Sequence, residues 1–513
     1  MKEVDVLIVG AGPTGLTLAL DLARRNINFR IIDKALLPPT SSRAKGLRPR
    51  SLEVFDNLGI AGKIMEAGST DMIFRWMEKD KVLKETAMRS LTTARADTVF
   101  PYGVMIAQWR LEQILRDVLA EEGEEVHYGN ELLEFNQNSE GVLATLTGIE
   151  TTEQLRCKYM VACDGGKSFV RKALDINFEG TTYESFSALI GDVEVEGLVP
   201  DAWHMWRHPD YGIGMSLCPL PGTNTWQIQV PAIPGTDGRL PSPNLETFRS
   251  LFYESTGITT VTLNNITWGT NYRVNERVAE KFRVGNVFIA GDAAHVHSIA
   301  GGLGMNTGIQ DAFNLGWKLA AVLKGPAPTA LLDSYEQERL PIAEWTIKNS
   351  HESAKRVYQS SLKGTGGIEQ GVNDDGTQLN LNYRNSVLSS EHLITNTALH
   401  AGDRAPDGIY QTATGTPARL FDWLRGARFA ILAIGLNNIA VLEAIQPQFP
   451  ALVIMNILNT DGIATQHDHI SALYGPGPVI YIIRPDGYIG LISDGRDVKA
   501  IFNYLAGLVI PKA

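Results

Sequence analysis

An apolar stretch, Val4-Asp-Val-Leu-Ile-Val9, runs directly into the loop Gly10-Ala-Gly12-Pro-Thr-Gly15, and few sequence features restrict a fold as tightly. A near-continuous apolar strand suits a parallel sheet covered on both faces. Leu16 to Arg25 reads as a helix, with Leu16, Leu20 and Ala23 at helical spacing and Asn26 as its stop. Phe29-Arg-Ile-Ile-Asp33 supplies a second strand and completes a strand–helix–strand unit. In such a unit Gly10 makes the tight turn, Gly12 lets the backbone approach a pyrophosphate, and Gly15 lets the helix pack on the strand. Pro13 and Thr14 open the helix, whose free N–H groups and positive dipole end face the phosphates. Asp33, followed by Lys34, ends the second strand, where a carboxylate can accept hydrogen bonds from the adenosine ribose. The loop implies a dinucleotide and does not separate FAD from NAD.

Two later motifs narrow the choice. Gly291-Asp-Ala-Ala-His295 follows the apolar run Asn286-Val-Phe-Ile-Ala290 and leads into Gly301-Gly-Leu-Gly304-Met-Asn306, which opens a long helical stretch to about residue 323. An acid at a strand end, Asp292, can bind a ribityl hydroxyl. The glycines beyond it let backbone pass close to a flavin ring, and the helix N-terminus can stabilise negative charge on the reduced ring. Tyr159-Met-Val-Ala-Cys163-Asp164-Gly165-Gly-Lys-Ser168 is a third strand and turn, in which Asp164 and Ser168 are either turn and cap residues or, with Gly165, part of a site on the flavin pyrophosphate side and the nicotinamide donor.

A chain of 513 residues is expected to form two or three domains. Its net charge of −11 argues against a nucleic-acid or anionic-membrane partner. The three cysteines, Cys157, Cys163 and Cys218, form no CxxC pair and no zinc-type cluster, so a reducing compartment and no structural metal are expected. The charged start and short apolar run read as a buried strand and not as a signal peptide. No segment approaches the roughly 20 apolar residues needed to span a bilayer, so a cytoplasmic location is the default.

The organisation expected is an FAD-binding domain over 1–177 and 276–360, a substrate-binding sheet domain over 178–275, a linker over 361–399, and a small α/β domain over 400–513. Within the middle domain, Thr225-Trp-Gln-Ile-Gln-Val230 alternates strictly, as a half-buried antiparallel strand does. Its neighbourhood is rich in Trp203, Met205, Trp206, Tyr211, Met215 and Trp226, which as a set suit an apolar aromatic pocket. Asp192 reads as a strand-end residue.

The three motifs, in this order, resemble the class A flavoprotein aromatic hydroxylases, and the chain looks most like their larger, phenol hydroxylase-like members. The resemblance covers 1–355 specifically and 400–513 loosely. It implies an α/β fold with a glutathione-reductase-type Rossmann FAD domain, an antiparallel-sheet substrate domain and a thioredoxin-like C-terminal domain. Without CxxC, that last domain is expected to serve packing or a homodimer contact. The resemblance carries Arg43 over to the FAD pyrophosphate, Gln108 to the flavin side of FAD, Asp292 to the ribityl chain, and Gly302, Leu303, Gly304, Met305 and Asn306 to the ring. Where the family has a proline-containing pair, this chain has Ser298-Ile299.

The activity implied is a single-component FAD monooxygenase. NADPH or NADH reduces non-covalent FAD, O2 forms a flavin C4a-hydroperoxide, and a phenolic or polyketide-like ring is hydroxylated. Candidate substrate contacts are Tyr211, Met215, Trp226, His297 and Ser298, and no catalytic base is identified. An epoxidase, an antibiotic-inactivating monooxygenase, an FAD dehydrogenase or oxidase, and a flavin-binding regulator without turnover are the alternatives.

Overall fold

Val6, Leu7 and Ile8 are fully buried at the centre of the first sheet. Their strand, Lys2–Val9, lies between two parallel neighbours, Thr152–Ala162 and Phe29–Asp33. The structure is a computed structural model that describes residues 2–508, apart from 149–150, 209–211, 236–237, 326, 394–397, 413, 437–438, 450–451, 458–468, 476 and 495–497, with backbone alone at 184–186, 441 and 456. The fold is mixed α/β. The first sheet runs in the order Arg283–Val284, Val287–Ile289, Thr152–Ala162, Lys2–Val9, Phe29–Asp33, Val126–Tyr128. Two further strands, Glu131–Asn138 and Gly141–Thr147, extend it antiparallel from Thr152–Ala162.

Helix Pro13–Ala23 starts at the proline, which lacks only an N–H that the first turn would leave unpaired. It ends two residues before the expected Arg25, and the chain turns at Asn26, whose φ is +51°. Helix Gly304–Leu323 packs beside it and is buried all round from Asn306 to Ala320.

The middle sheet has eight strands, in the order His295–Val296, Thr262–Ala279, Phe178–Glu196, Thr225–Pro231, Gly212–Pro219, Ala202–His208, Ile73–Glu78, Lys81–Ala87. It therefore recruits a hairpin from within 1–177, because Ile73–Glu78 pairs parallel with Ala202–His208. At its other edge it takes His295–Val296, so the sheet is continuous with the 297–304 loop. Helix Leu245–Thr256 covers the outer face, capped by Asn244, which accepts from Thr247 N at 2.9 Å.

Three sequence expectations change here. Gln227 is 1% exposed, so Thr225–Pro231 is buried on both faces instead of half-buried. Asp192 sits inside Phe178–Glu196, paired with Gln227 and Trp268, and not at a strand end. The 361–399 segment also packs over much of its described length. Trp76 Nε1 donates to Glu369 at 3.2 Å, Leu379, Leu381, Tyr383 and Leu388 are buried, and Ser390–His392 joins the last sheet. A Cβ on Gly367 would lie 2.0 Å from the Trp76 ring, so a glycine that reads as loose chain is there to allow close contact.

The last sheet runs Ser390–His392, Ile489–Ser493, Val479–Ile483, Phe429–Ile434, Leu452–Ile457. It shares a core with the first domain, where Trp317 meets Phe429 edge-on at 5.6 Å. Beside that contact lies a buried ionic network. Arg484 donates to both oxygens of Glu338 at 2.6 and 2.9 Å, and Lys318 donates to Glu338 at 2.7 Å. Arg484 and Lys318 hold the Glu338 carboxyl well below the usual carboxylate range, outweighing the burial that would otherwise raise it. Losing one partner of such a network leaves an uncompensated buried charge. Arg484→Met should therefore lower the unfolding free energy by about 3–5 kcal/mol in urea titrations; a loss under about 1 kcal/mol would show that the network contributes no more than a surface pair.

Candidate functional site

The carboxyl ends of the parallel strands converge on Gly10, Asp33, Asp164 and Asp292, which is where an open α/β sheet binds ligands. Gly10 has φ +105°, and a Cβ there would sit 2.3 Å from the Cys163 carbonyl oxygen, so only glycine allows the two strand ends to come this close. The position beside Gly12, by contrast, is open, with no atom within 4 Å of a built Cβ. Thr14 and Gly15 follow in the first turn of the helix. Asp33 accepts from Ala11 N at 2.8 Å through one oxygen and from Ala35 N at 2.9 Å through the other, which fixes the carboxylate against the glycine loop. Lys34 is exposed beside it. Asp164 caps helix Phe169–Ala173 through Oδ2, accepting from Phe169 N at 2.8 Å, while Oδ1 is buried without a partner. Asp292 is exposed. Open space at Gly12, an unpartnered Asp164 oxygen and an exposed Asp292 fit a phosphate- and hydroxyl-bearing cofactor lying across these ends.

Residues 42–48 form a strap between the two larger sheets. Ser42 N donates to Asp192 Oδ2 at 2.7 Å, and the Ser42 carbonyl accepts from Gln227. Ala44 N donates to Gln108 Oε1 at 3.1 Å. Arg43, between these anchored neighbours, is exposed. Further on, Arg48 N donates to Asn306 Oδ1 at 2.7 Å, and Asn306 Nδ2 donates to the carbonyls of Gly46 and Gly302 at 3.1 and 2.9 Å. Asn306 thus ties the strap to the 301–305 loop, in which Gly302 is exposed, Leu303 is buried, and Gly304 and Met305 begin the helix.

Behind that loop, His295 Nε2 lies 2.7 Å from Asp311, whose other oxygen accepts from Arg339 Nε at 2.6 Å. Burial alone would raise the Asp311 pKa, but Arg339 and His295 hold it down to about 2. His297 packs face to face with His295, and its pKa is lowered by burial, so the imidazole is neutral. Its Nδ1 meets the Ser298 carbonyl at 3.0 Å, and its Nε2 has no partner. Ser298 is buried, and its hydroxyl accepts from Ala300 N at 3.2 Å, closing the turn where the proline-containing pair is missing. Ile299 is exposed.

The aromatic set splits between the two sides of the middle sheet. Trp206, Met215 and Trp226 pack with Phe248 and Phe252 under the outer helix, away from the 297–304 loop. Met215 and Trp226 are thus core residues, because strand alternation turns them outward. Trp203 and Met205 face inward, with Phe74 and Met105. Tyr211 lies outside the described residues. The inner face also carries Tyr272, which the sequence did not single out. Its hydroxyl donates to the His297 carbonyl at 3.4 Å, and burial pushes its pKa up, with Asp292 adding to the rise. Only register brings Tyr272 onto the side shared with Asp192 and Gln227.

Residues 3–350 match the model of a family described as FAD binding domain. The chain is 37% identical over 514 residues to a flavin-dependent monooxygenase of Mycobacteroides abscessus, covering 99% of this chain and 100% of that one. It is 33% identical over 458 residues to pentachlorophenol 4-monooxygenase of Sphingobium chlorophenolicum, covering 86% and 82%. Among solved structures, a ternary complex of aklavinone-11 hydroxylase with FAD and aklavinone superposes with a TM-score of 0.84 at 25% identity, covering 99% of each chain.

Glu112 gives this site a pH dependence. It accepts from Gln108 Nε2 at 2.8 Å, its other oxygen is buried without a partner, and burial raises its pKa to about 7. A carboxyl that holds its proton more tightly when folded contributes stability that is full below pH 4.5 and is lost as pH rises through about 7. Glu112→Gln keeps the acceptor and removes the titration. Relative to this variant, the native chain should lose up to roughly 3 kcal/mol between pH 5 and pH 8 in denaturant titrations; parallel curves for the two proteins would refute this.

Proposed function

This chain belongs to the FAD-binding family of flavin-dependent monooxygenases, and on that premise we propose that it hydroxylates an oxygen-bearing aromatic substrate, phenolic or polyketide-like, with NAD(P)H as reductant. The observation that carries the proposal is the inner face of the middle sheet, which meets the 297–304 loop at Tyr272 and continues into the apolar cluster of Trp203, Met205 and Phe74. Such a surface suits a flat ring held against a flavin edge. The relatives named for pentachlorophenol and aklavinone support an aromatic substrate.

In this proposal the Gly10, Gly12, Pro13, Thr14 and Gly15 turn and Arg43 hold the pyrophosphate, with Asp164 and Gly165 on the same side. Asp33 and Lys34 face the adenosine. Gln108 and Asp292 take the ribityl side, and Gly302 to Asn306 present backbone to the ring. Bound FAD supplies the redox chemistry, taking two electrons from NAD(P)H and passing one oxygen atom of O2 to the substrate. The protein orients the ring and excludes water. The unpartnered His297 Nε2 and the Ser298 hydroxyl are assigned to the substrate from the loop side.

The last domain is proposed as thioredoxin-like with a packing role. A parallel Phe429–Ile434 and Leu452–Ile457 pair, an antiparallel Val479–Ile483 and Ile489–Ser493 hairpin and a closing helix, Val498–Leu508, support that topology. No cysteine occurs in 400–513. Among the described residues no helix is long and apolar enough to cross a membrane, and a cytoplasmic location remains part of the proposal.

Purified protein should be yellow with FAD that acid or heat releases. A screen of phenols and polycyclic aromatics for stimulated NAD(P)H oxidation, run under 18O2, should give a product heavier by one labelled oxygen. Stimulated oxidation yielding only hydrogen peroxide with every compound would overturn hydroxylation. Asp292→Ala should raise the Kd for FAD about tenfold or more, and an unchanged Kd would remove the ribityl assignment.

A further inference from the structure

The inner face of the middle sheet holds a buried polar layer that the cofactor contacts leave unused. Lys45 donates from the strap to Gln227 Oε1 and lies 4.0 Å over the Trp203 ring. Gln229 Nε2 donates to the same Gln227 oxygen at 2.8 Å, and the Gln227 amide is committed to the Ser42 carbonyl. Around this knot four buried polar atoms have no partner: Asp192 Oδ1, Ser42 Oγ, Ser216 Oγ and Trp203 Nε1. Asp192 and Ser42 are fully buried, and Ser216 and Trp203 are 1% and 7% exposed. Buried polar groups are nearly always hydrogen-bonded, and those that are not call for a ligand or water. Lys45 and Gln229 keep partial exposure, so the layer is not sealed from solvent.

We propose that Lys45, with Asp192, is a substrate-anchoring site that selects aromatic compounds carrying an ionisable hydroxyl beside a second oxygen. The donor set fixes that chemistry. The Lys45 ammonium, the Trp203 indole N–H and two serine hydroxyls need acceptors, whereas the free Asp192 oxygen needs a donor. A hydroxyl next to a carbonyl or second hydroxyl answers both demands within one ring edge. Lys45 receives the acceptor oxygen, and the ring hydroxyl donates to Asp192. Burial lowers the Lys45 pKa and raises that of Asp192 to about 6, so each gains by facing a polar ligand group. Lys45 and Asp192 are positioned by the strap that also holds the 301–305 loop through Asn306, which sets the anchored ring edge and the flavin edge in one frame.

This anchor rests on the aromatic-hydroxylase proposal, and the two can fail separately. FAD-loaded protein is titrated with 1-hydroxy-2-acetonaphthone and with its 1-methoxy ether, following the flavin absorption bands. The native chain should bind the hydroxy compound about tenfold or more tightly than the ether. Lys45→Met and Asp192→Asn should each weaken the hydroxy compound roughly ten- to hundredfold and leave the ether and the Kd for FAD nearly unchanged. Lys45→Arg should restore most of the preference. Should Lys45→Met fail to fold, the near-isosteric Asp192→Asn carries the test. Equal binding of the two compounds by the native chain, or a native preference in Lys45→Met, overturns the anchor. If the native chain binds no FAD, the hydroxylase proposal falls, and equilibrium dialysis of the same two compounds against the unloaded protein then decides the anchor by the same ratios.

Discussion

Asn306 commits its whole side-chain amide to backbone: it accepts from Arg48 N and donates to the carbonyls of Gly46 and Gly302. It thereby joins the helix that begins at Gly304, the loop before it and the 42–48 strap. Because the strap reaches Asp192 and Gln227 at its other end, the geometry of the loop and that of the middle sheet are set together. A short polar side chain can do this only where the backbone is otherwise irregular, since regular helix and sheet would satisfy those carbonyls themselves.

The same loop is held from behind by charge. His295, Asp311 and Arg339 form a fully buried chain of hydrogen bonds, and Arg339 continues to the Thr307 carbonyl and the Tyr383 hydroxyl. Tyr383 belongs to the segment leading to the last domain. That domain in turn contributes Arg484 to Glu338, the residue just before Arg339 in the long helix Asp333–Lys363. Buried ions of this kind add little net stability over apolar packing, but they penalise any arrangement that separates the partners. The last domain is therefore coupled to the loop through one helix, although it lies outside the glycine-motif region.

Much of the first sheet was legible in the sequence. The strand, the glycine loop, the helix and Asp33 lie close together along the chain, and their chemistry is local. The 291–306 segment was legible for the same reason. Met215 and Trp226 were misplaced as pocket residues, because composition reports that a region is aromatic and not which side of a sheet each ring takes. Gln227 was misjudged as solvated, since alternation alone cannot reveal that a strap covers the polar side. Lys45 carries no motif at all; it is one cation in a stretch that also holds Arg43, Arg48 and Arg50, and nothing in the sequence sets it apart from them.

The sequence by itself therefore determined the dinucleotide turn and, through the three motifs together, the family of chemistry, because each motif lies within a single local strand–turn unit. The tertiary structure alone decided which polar groups are buried together. Ser42 meets Asp192 across 150 positions and Gln227 across 185. Pairings at that separation follow from how sheets and strap pack, and neither propensity nor spacing encodes them locally.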